Sequence, residues 1–168
     1  MTYRPQSLSK RANKVCFLCA AAAVLLFAAS AFVARFEFAY QLTALILAVA
    51  SVEIYMKYVG SDYVYEAAEA SLKVYKITGK KSICVCSLDY EGSVTRVIPA
   101  EEYSANKSAY PKVNFCVNYE KNMFPKNYYV YMFEFNGKRS LMKFEPDEAF
   151  VNYVNPKIDS ALNSKKEN

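Results

Sequence analysis

The stretch from Val15 to Ala34 contains twenty residues and no charged side chain. A helix of that length, rising about 1.5 Å per residue, spans a hydrocarbon core about 30 Å thick. A second apolar run extends from Ala39 to Met56 and holds one charge, Glu53, near its end. Because so few residues separate the runs, the two helices must return side by side. The sequence therefore predicts a transmembrane helical hairpin over residues 15–58, with helices at about 15–34 and 39–57.

Small residues recur in both apolar runs at positions that allow close helix packing. They are Ala20 to Ala23, Ala28 to Ala31, Ala44, Ala48 and Ser51. The same residues would also suit homo- or hetero-oligomer formation, or membership of a larger membrane complex. A cleaved signal peptide is the less favoured interpretation, because the first apolar run is longer than a typical signal core.

Basic residues flank this hairpin unequally. The flanking cations are Arg4, Lys10, Arg11 and Lys14 before the first helix and Lys57 after the second, whereas the loop between the helices carries one cation and one anion. The positive-inside rule places the basic arm, residues 1–14, in the cytoplasm, and two crossings return the chain there. We expect a plasma-membrane protein with both termini cytoplasmic.

Glu53 is the ionisable residue within a predicted span, and such residues are functional candidates by default. However, it lies within about a turn of the membrane surface, and Lys57 follows four residues later, a spacing that places both on one helix face. An interfacial ion pair is the favoured interpretation.

From Gly60 onward the pattern changes to short runs of Val, Ile, Tyr and Phe between turn residues, which indicates β-strands. The predicted strands cover residues 61–67, 72–78, 82–88, 94–98, 113–119, 128–135 and 140–145. The Tyr128–Phe135 run is apolar on both faces, so we expect both to be covered. Asn136-Gly137 predicts a two-residue hairpin turn.

A helical pattern closes the domain. Pro146 suits the first helical position, and Asp147 and Glu148 suit the positive end of the helix dipole. The apolar stripe of this helix comprises Phe150, Val151, Val154, Ile158, Ala161 and Leu162. Pro156 should kink or divide the helix. The domain is predicted over residues 60–163 and a disordered tail over 164–168.

Antiparallel strands followed by one amphipathic helix resemble the pleckstrin-homology-like (PH-like) fold. The chain is similar to bacterial membrane proteins, without assigned activity, in which two helices precede a PH-like domain. The resemblance runs from the hairpin through Leu72-Lys73-Val74-Tyr75-Lys76-Ile77-Thr78-Gly79-Lys80 to Phe144-Glu145-Pro146-Asp147-Glu148. It implies an α+β chain with about seven antiparallel strands in an open barrel or bent sheet, closed by a C-terminal helix, facing the cytoplasm.

The composition excludes several kinds of chemistry. The chain has no histidine, which removes Ser-His and Cys-His nucleophile pairs and His-based metal sites. Cys84, Cys86 and Cys116 lack a fourth ligand and the usual zinc spacing, and Cys16 and Cys19 lie in a span. The net charge of +5 falls to about +1 from Gly60 onward, which argues against nucleic-acid binding. We expect no catalytic, cofactor or metal site.

Four lysines around the second predicted hairpin are candidate contacts for anionic lipid headgroups: Lys73, Lys76, Lys80 and Lys81. Solvation of a turn and protection of a sheet edge is the favoured explanation, because the cluster contains no arginine and the domain is almost neutral. The favoured hypothesis is a non-enzymatic membrane-anchored module that binds a protein or peptide partner, for example along a sheet edge. The alternatives are an anionic-lipid or small-ligand sensor and a subunit of a larger membrane complex.

Overall fold

The computed structural model describes residues 1–167 and divides the chain into two compact units. One unit is the helical segment Ser7–Ser61, and the other joins Met1–Gln6 to the chain from Asp62 onward. The helices are α1 (Ser9–Ser30), α2 (Glu37–Ile54), α3 (Ala100–Ala105) and α4 (Glu148–Glu167). The strands are β1 (Thr2–Tyr3), β2 (Ser61–Ala67), β3 (Ser71–Thr78), β4 (Lys81–Asp89), β5 (Ile98–Pro99), β6 (Phe115–Asn118), β7 (Tyr129–Phe135) and β8 (Lys138–Phe144). The predicted α+β class is confirmed.

Helices α1 and α2 pack against each other through small side chains, as the sequence predicts. The buried residues of the pair are Ala12, Ala23, Ser30, Ala44 and Ser51. Ala48 is exposed, because Ala44 and Ser51 are seven residues apart and set the contact stripe without it. Helix α1 begins at Ser9, six residues before the predicted start, so Lys10, Arg11 and Lys14 belong to its first turns and not to an extended arm.

A reciprocal polar contact joins the two helices near one end. The Ser51 hydroxyl donates to the Cys16 carbonyl oxygen over 3.1 Å, and the Cys16 thiol donates to the Ser51 carbonyl oxygen over 3.4 Å. Both side chains must be small for the backbones to come this close. The contact supports the interpretation of Cys16 as a packing residue.

The outward faces of both helices carry large apolar side chains. Phe17 is 72% exposed, Leu25 70% and Phe38 77%. Each helix is long and apolar enough to cross a membrane, and only 11% of each apolar window is buried. A core helix of a soluble protein would instead be mostly buried. The hairpin therefore presents an apolar surface whose exposure to water is unfavourable.

The end of α2 changes the relation between Glu53 and Lys57. A single π-helical turn, Tyr55–Val59, follows α2 and widens the spacing per turn, so residues four apart no longer align. No ion pair joins Glu53 to Lys57 within residues 1–167, and the Lys57 ammonium lies 5.0 Å from the centre of the Tyr58 ring. The expected pairing was wrong.

The first sheet has the order β1-β2-β3-β4. Its edge strand β1 comes from the extreme amino terminus, where Thr2 pairs with Glu66 and Tyr3 with Tyr65. The terminal amine donates to the Ala67 carbonyl over 2.8 Å. The amino-terminal residues, expected to form only a basic arm, are therefore part of the β-rich unit. The whole helical hairpin is an insertion between two paired strands.

The second sheet has the order β5-β7-β8-β6. Strand β6 pairs with β8 in parallel, so the expectation of an all-antiparallel domain was wrong at this strand. The strand predicted over 94–98 is reduced to β5, because Val97 turns to bond the Asn155 side chain. The Asn136-Gly137 turn is confirmed: both residues have positive φ and join β7 to β8. Within residues 1–167 the sheets do not close into a barrel.

Both faces of the second sheet are covered, as the apolar pattern of β7 predicts. Tyr131 and Phe133 join the main core, which lies between the two sheets and α4, while Val130 and Met132 face a second, smaller apolar cluster. Residues 130–133 of β7 are therefore buried on both faces of the sheet.

Helix α4 contributes the predicted apolar stripe to the main core. Phe150, Val154 and Ile158 are almost fully buried. Asp147 caps the helix, because its carboxylate accepts a hydrogen bond from the Phe150 amide at 2.8 Å, so Pro146 precedes the helix and does not begin it. The helix is not divided at Pro156, which is exposed. It continues to Glu167 where a tail was predicted, and Asn168 lies outside the described residues.

The position of β1 generates a test of the fold. We predict that replacing residues 7–61 by a short glycine-rich turn gives a soluble, folded domain, because β1 and β2 already pair. Removing residues 1–6 as well should lower its free energy of unfolding by about 2–4 kcal/mol, from lost strand hydrogen bonds and Tyr3 packing. Urea denaturation of the two variants measures the difference, and equal midpoints would show that β1 adds nothing.

Candidate functional site

Helix α3 and the segment after it cover the outer face of the second sheet. The Ala100 amide donates to the Tyr128 carbonyl over 3.0 Å, which fixes the start of α3 to the sheet. Farther along, the Asn114 amide donates to the Arg139 carbonyl over 2.8 Å. Between these two hydrogen bonds the chain passes over Leu141 and covers the smaller apolar cluster.

An open groove of about 620 Å³ follows the margin of this cluster. We call it the β6 groove, and its lining comprises Tyr103, Lys107, Tyr110, Pro111, Lys112, Val113, Asn114, Phe115, Cys116, Leu141 and Lys143. Leu141 is 3% exposed and forms the floor. The rings of Tyr103 and Tyr110 lie 5.4 Å apart at one wall, and Phe115, 48% exposed, stands in strand β6.

Strand β6 is an edge of its sheet. It pairs with β8 alone among the strands of residues 1–167. Its side chains change from buried to exposed toward its start: Val117 packs against the main core, whereas Phe115 and Cys116 are exposed. An unpaired strand edge beside an apolar groove is the arrangement to which extended peptides add.

The charges along the β6 groove have one sign. Lys107, Lys112 and Lys143 line it, and no acidic residue is among its lining residues. The half-buried Lys143 has its ammonium 5.8 Å from the centre of the Tyr128 ring. Burial raises the pKa of the Cys116 thiol, and the nearby Lys143 opposes that shift, so the thiol is not an activated nucleophile.

The four lysines predicted to contact lipid lie elsewhere, around the β3–β4 hairpin. Gly79 and Lys80 form the two-residue turn, and Lys81 pairs with Thr78 at the start of β4. Lys73 and Lys76 are three residues apart on β3, a spacing that places them on opposite faces of the strand. The structure therefore brings Lys80 and Lys81 together but not all four.

The cysteines do not converge. All five are free thiols, and no group of three or more His, Cys, Asp or Glu side chains within residues 1–167 could hold a metal ion. A bulge at Val85, between the residues that pair with Val74 and Tyr75, leaves Cys84 exposed while Cys86 turns toward the core. Burial raises the pKa of Cys86.

A buried polar cluster joins the amino terminus to the centre of the domain. The Glu145 carboxylate accepts hydrogen bonds from the amide and the side chain of Asn122, at 2.7 and 2.6 Å. The Asn122 side chain also donates to the Gln6 carbonyl over 3.0 Å. The Tyr65 hydroxyl accepts from the Glu145 amide and donates to the Tyr119 carbonyl. Burial raises the pKa of Glu145, against the opposing effect of the Asn122 hydrogen bonds.

A second polar group lies beside this cluster at the start of β2. Lys121, 2% exposed, pairs with Asp62 over 2.9 Å, and Arg4 pairs with the other carboxylate oxygen. Burial raises the pKa of Asp62, but the hydrogen bonds and charges of Lys121 and Arg4 outweigh it and hold the pKa below its ordinary value. Arg4, predicted as a membrane-flank cation, thus serves the fold of the β-rich unit.

Perturbed carboxylates can mark active sites, but these groups are fully used by structure. No buried side-chain nitrogen or oxygen in the described part of the chain lacks a hydrogen-bond partner. The clusters join residues 1–6, 62–65, 119–122 and 145, which are distant in sequence and close in space. Their role is to fasten the amino terminus to the domain.

The comparisons with known proteins agree with this architecture. The model of a family described as bacterial PH-like domain (DUF6106) matches residues 4–164, nearly the whole chain. The chain belongs to this family. The match includes both apolar helices, so the hairpin is part of the PH-like protein's family pattern and not an appendage. No curated protein and no solved structure matches.

The raised pKa of Glu145 predicts a pH dependence of stability in this PH-like protein. Protonation favours the folded state, so the contribution is fully present below the unfolded pKa of 4.5 and is lost as pH rises through the raised folded pKa. Glu145→Gln removes this titration. We expect its thermal midpoint relative to wild type to increase from pH 4.5 toward pH 8.

Glu134→Gln is the matched control, because Glu134 is an exposed glutamate near the end of β7, away from any helix terminus. Its midpoint relative to wild type should stay nearly constant over the same range. If the difference in thermal midpoint between Glu145→Gln and wild type is also independent of pH, burial does not raise the pKa of Glu145.

Proposed function

We propose that the protein is a two-pass integral membrane protein that holds a non-enzymatic PH-like interaction module in the cytoplasm, where the module binds a protein or peptide partner. One observation carries the membrane assignment: the helical unit buries small residues between its two helices and exposes large apolar side chains all around them. Lipid is the solvent that suits such a surface.

Strand pairing supports an even number of crossings. Residues 2–3 pair with residues 65–66, on the far side of the hairpin in sequence. A chain that folds this way cannot leave its first strand on one side of a bilayer and its second on the other. This pairing supports the proposal that both flanks of the hairpin share a compartment.

The basic residues of α1 support the cytoplasm as that compartment. Lys10 and Arg11 occupy the first turn of α1, where the helix dipole repels cations, and no acidic residue lies there to compensate. Their position is unfavourable for the helix itself and favourable beside the anionic inner leaflet.

An interaction role follows from what the domain offers. PH-like folds commonly serve recognition, and the β6 groove offers a concave surface whose residues provide contact area and not a set of catalytic groups. The hairpin would raise the local concentration of the module near membrane-bound partners.

Two exposed native cysteines allow a test of topology. A membrane-impermeant maleimide should leave Cys84 and Cys116 unlabelled in intact spheroplasts and label them after permeabilisation. Phe36→Cys, which places a thiol between the helices, should be labelled without permeabilisation. The assay uses Cys84→Ser and Cys116→Ser to identify the labelled sites, and labelling of either native thiol in intact spheroplasts would overturn the orientation.

Affinity purification after crosslinking in native membranes tests the interaction role. A reproducible protein partner that depends on the PH-like unit supports the proposal. The matched comparison is a chain that retains residues 1–61 without the domain. Recovery of no partner above this comparison would contradict the role.

A further inference from the structure

We infer that the β6 groove binds an extended acidic segment of a partner protein, with apolar side chains placed between its carboxylates. This inference rests on the proposed interaction role and names the site and the chemistry of the ligand. None of the four lysines that the sequence pattern singled out lines this groove.

Charge complementarity selects the occupant. Lys107 and Lys112 approach the groove from the covering segment and Lys143 from strand β8, so cations stand on both of its sides. Lys107 and Lys112 are exposed, and none of the three takes part in the salt bridges of residues 1–167. An acidic ligand would provide the missing counter-charges and would be steered toward the groove.

The shape and the floor favour a peptide over a lipid headgroup. A headgroup site concentrates several cations and amide donors on one phosphate, whereas these lysines are spread along an open groove with Leu141, Val113 and two tyrosine rings between them. Phe115 adds an exposed aromatic ring at the strand edge. Apolar and acidic side chains in alternation would match such a surface.

The unpaired edge of β6 supplies backbone recognition. Because β6 bonds β8 on one side only, its other side can accept hydrogen bonds from an added strand. The Asn114 side chain accepts a hydrogen bond from the Arg139 amide at 3.2 Å, which holds the entrance of β6 in place. This contact reduces the ordering that a ligand would have to impose at the start of β6.

Fluorescence polarisation of full-length protein in detergent micelles tests the site. The probes are short fluorescein-labelled peptides in which Glu residues flank a Phe-Val core, and a control peptide carries Lys at each Glu position. We expect binding of the Glu peptide only. The triple variant Lys107→Glu, Lys112→Glu, Lys143→Glu should weaken it by about tenfold or more, and Phe115→Ser should weaken it without changing its salt dependence.

The matched control is the triple variant Lys73→Glu, Lys80→Glu, Lys81→Glu, which makes the same change in net charge outside the groove. It should retain affinity within about twofold. Equal losses in both triple variants would reduce the effect to overall charge and overturn the site, as would failure of the Glu peptide to bind. Unaltered thermal midpoints establish that the variants are folded.

Vesicles separate the lipid alternative. If phosphatidylglycerol vesicles bind the protein through the groove lysines and the Glu peptide does not, the ligand is a headgroup and the inference is wrong.

The interaction role and the groove assignment can also be tested separately. If crosslinking recovers a partner that the groove variant still binds, the interaction role stands and the groove assignment falls.

Discussion

The pairing of β1 with β2 is the interaction on which the organisation of this protein depends. It places the first residues of the chain in the same sheet as the first strand after the hairpin, with the whole helical unit inserted between them. The terminal amine, Arg4 and Gln6 each bond a different part of the domain. The hairpin is therefore held at both ends, and the domain is complete only when residues on both sides of it come together.

Such an insertion has a consequence for folding. The contact between β1 and β2 joins residues that are distant in sequence, so closing it costs loop entropy that a formed hairpin reduces. Helical hairpins form locally and quickly, and close packing through Ala44, Ser51 and Cys16 brings their ends together. The helical unit is thus also the connection that joins the two strands.

The two faces of the second sheet are covered to different extents. One face of β7 and β8 completes the main core with α4, and the other is covered by α3 and the segment that follows it. The covering segment ends at β6. There the β6 groove opens above Leu141, and Phe115 is exposed. The open margin of that smaller cluster is the ligand site that we propose.

Local patterns in the sequence were sufficient for much of this description. Apolar runs with at most one charge predict the two helices, a short run of tyrosine and valine predicts β2 at its observed bounds, and the stripe from Phe150 to Ile158 predicts the buried face of α4. The Asn136-Gly137 turn follows from backbone sterics alone. These features depend on residues close in the chain, so sequence determines them directly.

Contacts between distant segments were decided only by the tertiary structure. Two residues, Thr2 and Tyr3, are too few to show a strand pattern, and their pairing is evident only once β2 lies beside them. Glu53 and Lys57 have the spacing of a helical ion pair, but the π turn separates them. The β6 groove combines Lys107, Lys112 and Lys143 from opposite sides of a sheet edge, a proximity set by the register of β6 with β8 and by no local pattern.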